Sequence, residues 1–228
     1  MKNIAIIPAR GGSKRIPRKN IRDFLGKPII AYSIETALES GLFDEVMVST
    51  DDFEIAEISE KYRAKVPFLR SEETADDYAT TVNVLLEVLK TYQKQGKKFE
   101  YGCCIYPTAP LLKPSIIKSG YKKLMSESFS TVFPVVEFSY PILRSLKLSG
   151  NDKVEMNWPE HQESRSQDLP KAYHDAGQFY WFNVEEFLKE EELFGKNSGA
   201  LILPNTSVQD IDTEEDWKLA EMKAKLSE

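Results

Sequence analysis

The sequence predicts an α/β protein: a three-layer α/β/α sandwich built on a mainly parallel sheet. Short apolar runs alternate along the chain with longer stretches of helical periodicity. Those runs are continuously apolar, without the in–out alternation of a half-exposed strand, as expected when both faces of a sheet are covered. With 228 residues and 41% apolar composition, the chain has the content of one globular core with a modest insertion.

The elements follow in order. A strand is expected over 3–8, where Ile4, Ala5, Ile6 and Ile7 run into a glycine-rich loop, and a helix over 28–40, with Pro28 at its start. Strand 45–50 (EVMVST) precedes helix 52–63, and helix 80–95 precedes strand 101–106 (YGCCIY). Helix 114–126 opens on Pro114 and leads to strand 131–136 (TVFPVV). Strand 178–183 (QFYWFN), helix 184–190, strand 200–203 (ALIL) and helix 213–226, opened by Thr213, complete the pattern. The rhythm breaks from Glu137 to Lys171, a polar, irregular stretch containing Pro141, Pro159 and Pro170. Within it SLKL and KVEM flank Ser149-Gly150-Asn151-Asp152, a hairpin signal. A hairpin arm of this size cannot bury itself. Residues 137–171 are therefore expected to form a dimerisation arm, inserted in a core of 1–136 and 172–228 and packed on a second protomer.

Composition excludes several classes. The net charge of −6 makes nucleic acid and anionic membranes poor partners. The chain shows no signal-peptide pattern and no apolar run near the roughly 18 residues of a membrane span. Cys103 and Cys104 are adjacent on a strand and point to opposite faces, which disfavours a disulfide or a zinc site and suits a reducing cytoplasm.

Charge is distributed unevenly. The first 22 residues carry seven of the 30 Lys and Arg residues and no acid, leaving 23 bases against 36 acids in the remainder. Five cations fall between residues 10 and 19: Arg10, Lys14, Arg15, Arg18 and Lys19. Interleaved with them are Gly11, Gly12 and Ser13, preceded by Ala9 and followed by Asn20. A compact positive island on an acidic protein points to a small polyanion of triphosphate size. Neither familiar phosphate loop fits. Lys14 is followed by Arg15, Ile16 and Pro17, unlike the Walker loop that opens directly into a helix, and no G-x-G-x-x-G is present.

Asp210 and Asp212 flank Ile211 just after the last strand. Extended-chain alternation puts both carboxylates on one side and Ile211 in the core, supplying two hard oxygen ligands for Mg²⁺. Helix capping by Asp212 or Thr213, with Glu215 or Asp216, competes as an explanation. Arg70 follows the short extended run Val66–Leu69, the Thr80-Thr81 pair opens a helix and offers either hydroxyls to a base or ribose or ordinary N-caps, and Tyr106-Pro107-Thr108-Ala109-Pro110 turns off a strand end, where ligands of α/β sheets bind. Arg165, Gln167, Tyr173, His174, Asp175 and Gln178 form a third cluster. His174 beside Asp175 is half of an acid–base arrangement, without an accompanying nucleophile motif, and Arg165 suits a bidentate grip on a carboxylate.

Taken together, these motifs resemble the nucleotidylyltransferases that activate nonulosonic, sialic-type acids with CTP. The opening loop is similar to that family's IPARGGSKxxPxKN, Tyr106–Leu111 to its QPTSPL, and Asp210-Ile211-Asp212 to its metal motif. RSQDLPKAYHDAGQFYW resembles the branch acting on pseudaminic acid. The resemblance implies a Rossmann-like nucleotide-diphospho-sugar transferase fold and transfer of CMP to a sugar acid with release of pyrophosphate. It implies CTP contacts from Ala9 through Arg15, Lys19, Asn20, Arg70, Thr81, Tyr106 and Thr108, with Arg10 and Lys19 at the reacting phosphate. It implies Mg²⁺ on Asp210 and Asp212, and sugar contacts from Arg165, Gln167, Tyr173, His174, Asp175 and Gln178. It further implies a homodimer in which the arm, Arg144 included, reaches the partner's sugar site. Tyr106, standing where the family carries glutamine, departs from the pattern.

Overall fold

The computed structural model describes residues 2–76 and 78–226. β1 (Asn3–Pro8) is followed by the basic loop and a minimal hairpin, β2 (Asp23–Phe24) with β3 (Lys27–Pro28), which leads into α1 (Ile29–Ser40). β4 (Glu45–Ser49) precedes α2 (Phe53–Lys61), capped by Asp52, whose side chain accepts from the Ile55 N–H. α3 (Glu72–Ala75) is a single turn, and α4 (Thr81–Lys94) starts on a reciprocal cap between Thr80 and Asn83. β5 (Tyr101–Ile105), α5 (Pro114–Glu127) and β6 (Thr131–Glu137) follow. The arm contains β7 (Leu146–Ser149) and β8 (Lys153–Met156). β9 (Tyr173–Asp175), β10 (Phe179–Asn183), α6 (Val184–Glu190), β11 (Ser198–Leu203) and α7 (Glu214–Leu226) complete the chain.

The main sheet runs β11-β6-β10-β5-β1-β4, with β9 beside β6. β1 is parallel to β4 and β5, and β11 is parallel to β6. β10 lies antiparallel between β5 and β6. Its unbroken apolar run FYWF thus reports cover on both faces, not strand direction.

Alternate residues of each strand feed two cores. Ala5, Ile7, Cys103 and Trp181 join Ile30, Ile34, Ile55 and Ile117, placing α1, α2 and α5 on one face. Ile4, Ile6, Cys104, Tyr180 and Phe182 join Leu85, Leu89 and Phe187, placing α4 and α6 on the other. The adjacent cysteines therefore serve opposite layers, both as buried free thiols.

The predicted strands and long helices all form, within two residues of their expected bounds. α3, β2, β3 and β9 were not anticipated, being too short to carry a periodic signal. The hairpin of the arm forms as expected, with Asn151 and Asp152 at φ 64° and 58° in its turn. β7 and β8 pair only with each other, and Leu146, Leu148 and Val154 remain 60%, 77% and 56% exposed.

β9 and β10 form one antiparallel path along β6, interrupted at Ala176-Gly177-Gln178. Asp175 lies opposite Val135 and Trp181 opposite Val132, so six residues of this path span three of β6. Gly177 turns the bulge at φ 60°. Among the described residues, no helix is long and apolar enough to cross a membrane.

Candidate active site

A small apolar cluster brings together the two most informative sequence segments. Ile16, in the middle of the basic loop, and Ile211, between the paired aspartates, are both fully buried in it with Phe24, Ile29 and Trp217. The charged neighbours of these two anchors are thereby forced together. Lys19 Nζ donates to the Ile211 carbonyl at 2.6 Å and lies 3.6 Å from Asp212 Oδ1, while Arg15 Nη1 is 2.7 Å from Asp212 Oδ2. Helix capping falls to other groups: Thr213 Oγ1 accepts from the Asp216 N–H, and Asp216 Oδ2 accepts from the Thr213 N–H. Capping therefore accounts for neither Asp210 nor the Asp212 carboxylate. Crowding by surrounding protein, then the charge of Asp212, push the Asp210 carboxyl above its ordinary pKa.

The loop is held from its other side by acids after β4. The Gly11 N–H donates to Asp51 Oδ1 at 3.0 Å. Arg18, in the left-handed region at φ 55°, donates to both oxygens of Asp52, at 2.5 and 3.0 Å, and to Glu54. The Arg18 hydrogen bond is the leading reason the Asp52 carboxyl sits below its usual range. Arg18 is thus a clasp for the loop, and Gly11 directs its N–H to protein. Asn20 adds a second tie, donating from Nδ2 to the Arg10 carbonyl at 2.9 Å.

Beside this clasp opens a cavity of about 510 Å³, within the size range of small-ligand clefts. Arg10, Ser13, Lys14, Arg15, Lys19, Asn20, Arg70, Thr81, Tyr106 and Thr108 line it. Ala9, Gly11 and Gly12 do not. One end is cationic. The other presents Arg70, Thr81 and Tyr106. Arg70 is nine-tenths buried, with its guanidinium on Ser49 Oγ, the Ser49 carbonyl and the Thr74 carbonyl; desolvation lowers its pKa, and among the described residues no carboxylate hydrogen-bonds to it. A buried cation held by neutral acceptors on a cavity wall is suited to a carbonyl or anionic ligand. Thr81 Oγ1 and Tyr106 Oη share a hydrogen bond of 3.2 Å.

The third cluster divides. Asp175 turns towards the core face, where Tyr180 Oη donates to its Oδ2 and the Gly177 N–H to its Oδ1. His174, pointing the opposite way along β9, packs its ring against Phe138 at 4.9 Å. Arg165 pairs with Asp168 inside the arm at 2.6 Å, and Gln167 lines a shallow concavity at the arm's root. Tyr173 is partly exposed opposite Glu137. Gln178 is buried, with Nε2 on the Ser207 carbonyl. None of these six lines the main cavity.

Sequence reasoning missed the loop-holding acids Asp51, Asp52 and Glu54, cavity-lining Thr74 and Asp76, and Tyr180. The position of Asp51-Asp52 after EVMVST, beside the β1 loop at the carboxyl edge of the sheet, was a usable signal.

A phosphate-sized cationic end, a nucleoside-sized polar end and an adjoining acid pair on this fold define a nucleotidyltransferase. The chain belongs to the cytidylyltransferase family, whose profile matches residues 4–224. It is 49% identical to the pseudaminic acid cytidylyltransferase of Campylobacter jejuni serotype O:2 over 227 residues, covering 100% of this chain and 98% of the relative. It is 32% identical to the CMP-N,N′-diacetyllegionaminic acid synthase of Legionella pneumophila, covering 100% of this chain and 98% of that one. Among solved structures, CMP:2-keto-3-deoxy-manno-octonic acid synthetase complexed with CTP superposes with a TM-score of 0.71 at 18% identity, over 100% of this chain and 99% of that one, a likeness of fold.

Proposed function

We propose that this protein transfers CMP from CTP to the anomeric hydroxyl of pseudaminic acid, releasing pyrophosphate. The observation that carries the reading is the cavity itself, whose cationic end, Lys19 and Arg15 in particular, abuts the Asp210–Asp212 pair. The sugar hydroxyl oxygen attacks the α-phosphorus and gives its proton to water, an O–P bond forms, and the bond from the α-phosphorus to the bridging oxygen breaks with its electron pair leaving on pyrophosphate. Lys19 and Arg10 neutralise the α-phosphate, and Ser13, Lys14 and Arg15 hold the β- and γ-phosphates against the charge that develops there. Asn20, Arg70, Thr81, Tyr106 and Thr108 position the nucleoside. Asp175 faces the sugar acid, with Arg165, Gln167, Tyr173, His174 and Gln178 on the segments leading to it.

Asp210 and Asp212 fit a divalent cation. Both offer hard oxygen ligands, and burial, then the charge of Asp212, raises the Asp210 carboxyl, a penalty that a bound cation would offset. Among the described residues, no cluster of three or more His, Cys, Asp or Glu side chains could hold a metal ion, so the remaining ligands would come from substrate oxygens and water. Bound there, Mg²⁺ would offset phosphate charge and acidify the attacking hydroxyl. The exposed Tyr140, Leu146, Leu148 and Val154 support a homodimer formed through the 137–171 arm, with Arg144 near the partner's sugar.

The test is pyrophosphate release from CTP and Mg²⁺ with a panel of pseudaminic, legionaminic, N-acetylneuraminic and 3-deoxy-manno-octulosonic acids. Pseudaminic acid should give the highest kcat/KM. Release with none of the four overturns the function; a higher value with another acid overturns the substrate.

A further inference from the structure

A row of hydroxyls and one carboxylate runs from the nucleoside end of the cavity to the opposite side of β10. Thr81 Oγ1 shares a hydrogen bond with Tyr106 Oη. The rings of Tyr106 and Tyr180 pack against each other, 5.4 Å apart at a tilt of 58°. Tyr180 Oη then donates to Asp175 Oδ2. Tyr180 is 1% exposed, and a phenol so deeply buried requires a partner. It finds one five residues back in sequence, because the Ala176-Gly177-Gln178 bulge folds Asp175 over it and the Gly177 N–H secures the second oxygen at 3.1 Å. Both oxygens of Asp175 are thus fixed, yet the residue remains exposed and each oxygen keeps a lone pair for a further donor.

We infer that Tyr180, with Tyr106, is a positioning residue of the transfer reaction: the two phenols tie Asp175, an acceptor for a hydroxyl or amide N–H of the sugar acid, to Thr81 beside the nucleoside. The inference rests on the function proposed above and assigns it a pair of residues that couple its two substrates. Tyr106 touches the cavity directly, whereas Tyr180 acts only through its neighbours. A nucleoside that orders Tyr106 therefore also orders Asp175, and by reciprocity a bound sugar acid tightens the hold on the nucleotide.

The experiment compares wild type with Tyr180→Phe and Tyr106→Phe. Removing the Tyr180 hydroxyl frees one oxygen of Asp175, so KM for pseudaminic acid should rise about tenfold or more, the scale of one charge-assisted hydrogen bond, while the affinity for CTP in the absence of sugar acid stays within twofold. Tyr106→Phe should raise KM for both substrates. A second readout, which general loosening would not produce, is the affinity for pseudaminic acid with and without a CTP analogue carrying a non-hydrolysable α–β bridge. Wild type should bind the sugar acid more tightly with the analogue present, and Tyr180→Phe should bring that ratio close to one. A folded Tyr180→Phe enzyme whose sugar KM and affinity ratio stay within twofold of wild type overturns the inference. If Tyr180→Phe does not fold, Asp175→Asn at the exposed end of the row decides, since an unchanged sugar KM there also overturns it. A wild-type enzyme that binds no CTP and releases no pyrophosphate overturns the proposed function, and this inference with it, so the two failures are distinct.

Discussion

Gly11→Ala measures how firmly the basic loop is seated. A Cβ at position 11 would lie 2.7 Å from Asp52 Oδ2, 3.1 Å from Asp52 Cβ and 3.2 Å from Asp52 Cγ. Asp52 cannot step aside cheaply, because its carboxylate caps α2 through the Ile55 N–H and receives both bonds from Arg18. Accommodating the methyl means losing the cap, worth about 1 kcal/mol, or lifting the loop against its packing, worth about 1–3 kcal/mol. Either way the cost of about 1–3 kcal/mol lowers Tm by roughly 2–12 °C in a domain of this size. Gly12 is the control: nothing lies within 4 Å of its Cβ position, so Gly12→Ala should leave Tm unchanged or slightly raised by the stiffer unfolded chain. Calorimetric unfolding of both variants, with KM for CTP as the functional readout, makes the comparison. Equal Tm values for the two variants would refute the argument that Asp52 is a fixed wall behind the loop.

Three further outcomes are expected. Lys19→Ala should reduce kcat by about a hundredfold or more, as expected for loss of a preorganised charge at a reacting phosphate, while circular dichroism stays unchanged; near-normal kcat would remove Lys19 from that role. Asp210→Asn should raise the Tm of the ligand-free protein near pH 7, because an acid whose pKa is raised by folding stabilises the fold only while protonated and loses that contribution as pH rises through the folded value. The advantage of the variant should shrink as pH falls towards about 4 and reverse in saturating Mg²⁺ and CTP, both followed by thermal melts. Leu148→Glu, at a side chain 77% exposed on the arm, should yield monomers by analytical ultracentrifugation with an intact fold; a persistent dimer would place the interface elsewhere.

The long elements were legible because burial imposes a period on them. β1, β5 and β10 read as continuous apolar runs since both faces meet helices, and α1, α5 and α7 carried start signals at Pro28, Pro114 and Thr213. The same logic concealed the reversed direction of β10, because cover on both faces erases alternation in either orientation. In the site, the cations and the Asp210–Asp212 pair stood out as local anomalies of charge. The division of labour among those cations was not readable, since Arg18 belongs to Asp52 and Glu54 through contacts more than 30 residues away in sequence. His174 and Asp175 looked like a pair, yet neighbours in a strand face opposite ways, and only Asp175 joins Tyr180. The partner of Asp175 depended on a three-residue bulge, and nothing in the composition of Ala176-Gly177-Gln178 specifies its register.

The way the arm joins the sheet would tie the proposed assembly to the proposed chemistry. Glu137, at the end of β6, lies opposite Tyr173 at the start of β9, the Phe138 N–H donates to the Ala172 carbonyl at 3.0 Å, and Lys171 Nζ reaches Glu137 Oε2 at 2.9 Å. Departure and return are a single rung apart, so the excursion could be lengthened, shortened or replaced by a tight turn without reordering the strands behind it. That rung also belongs to the three-residue strand carrying Asp175. A partner docked on the hairpin would therefore sit two peptide units of β-ladder from the carboxylate proposed as the acceptor.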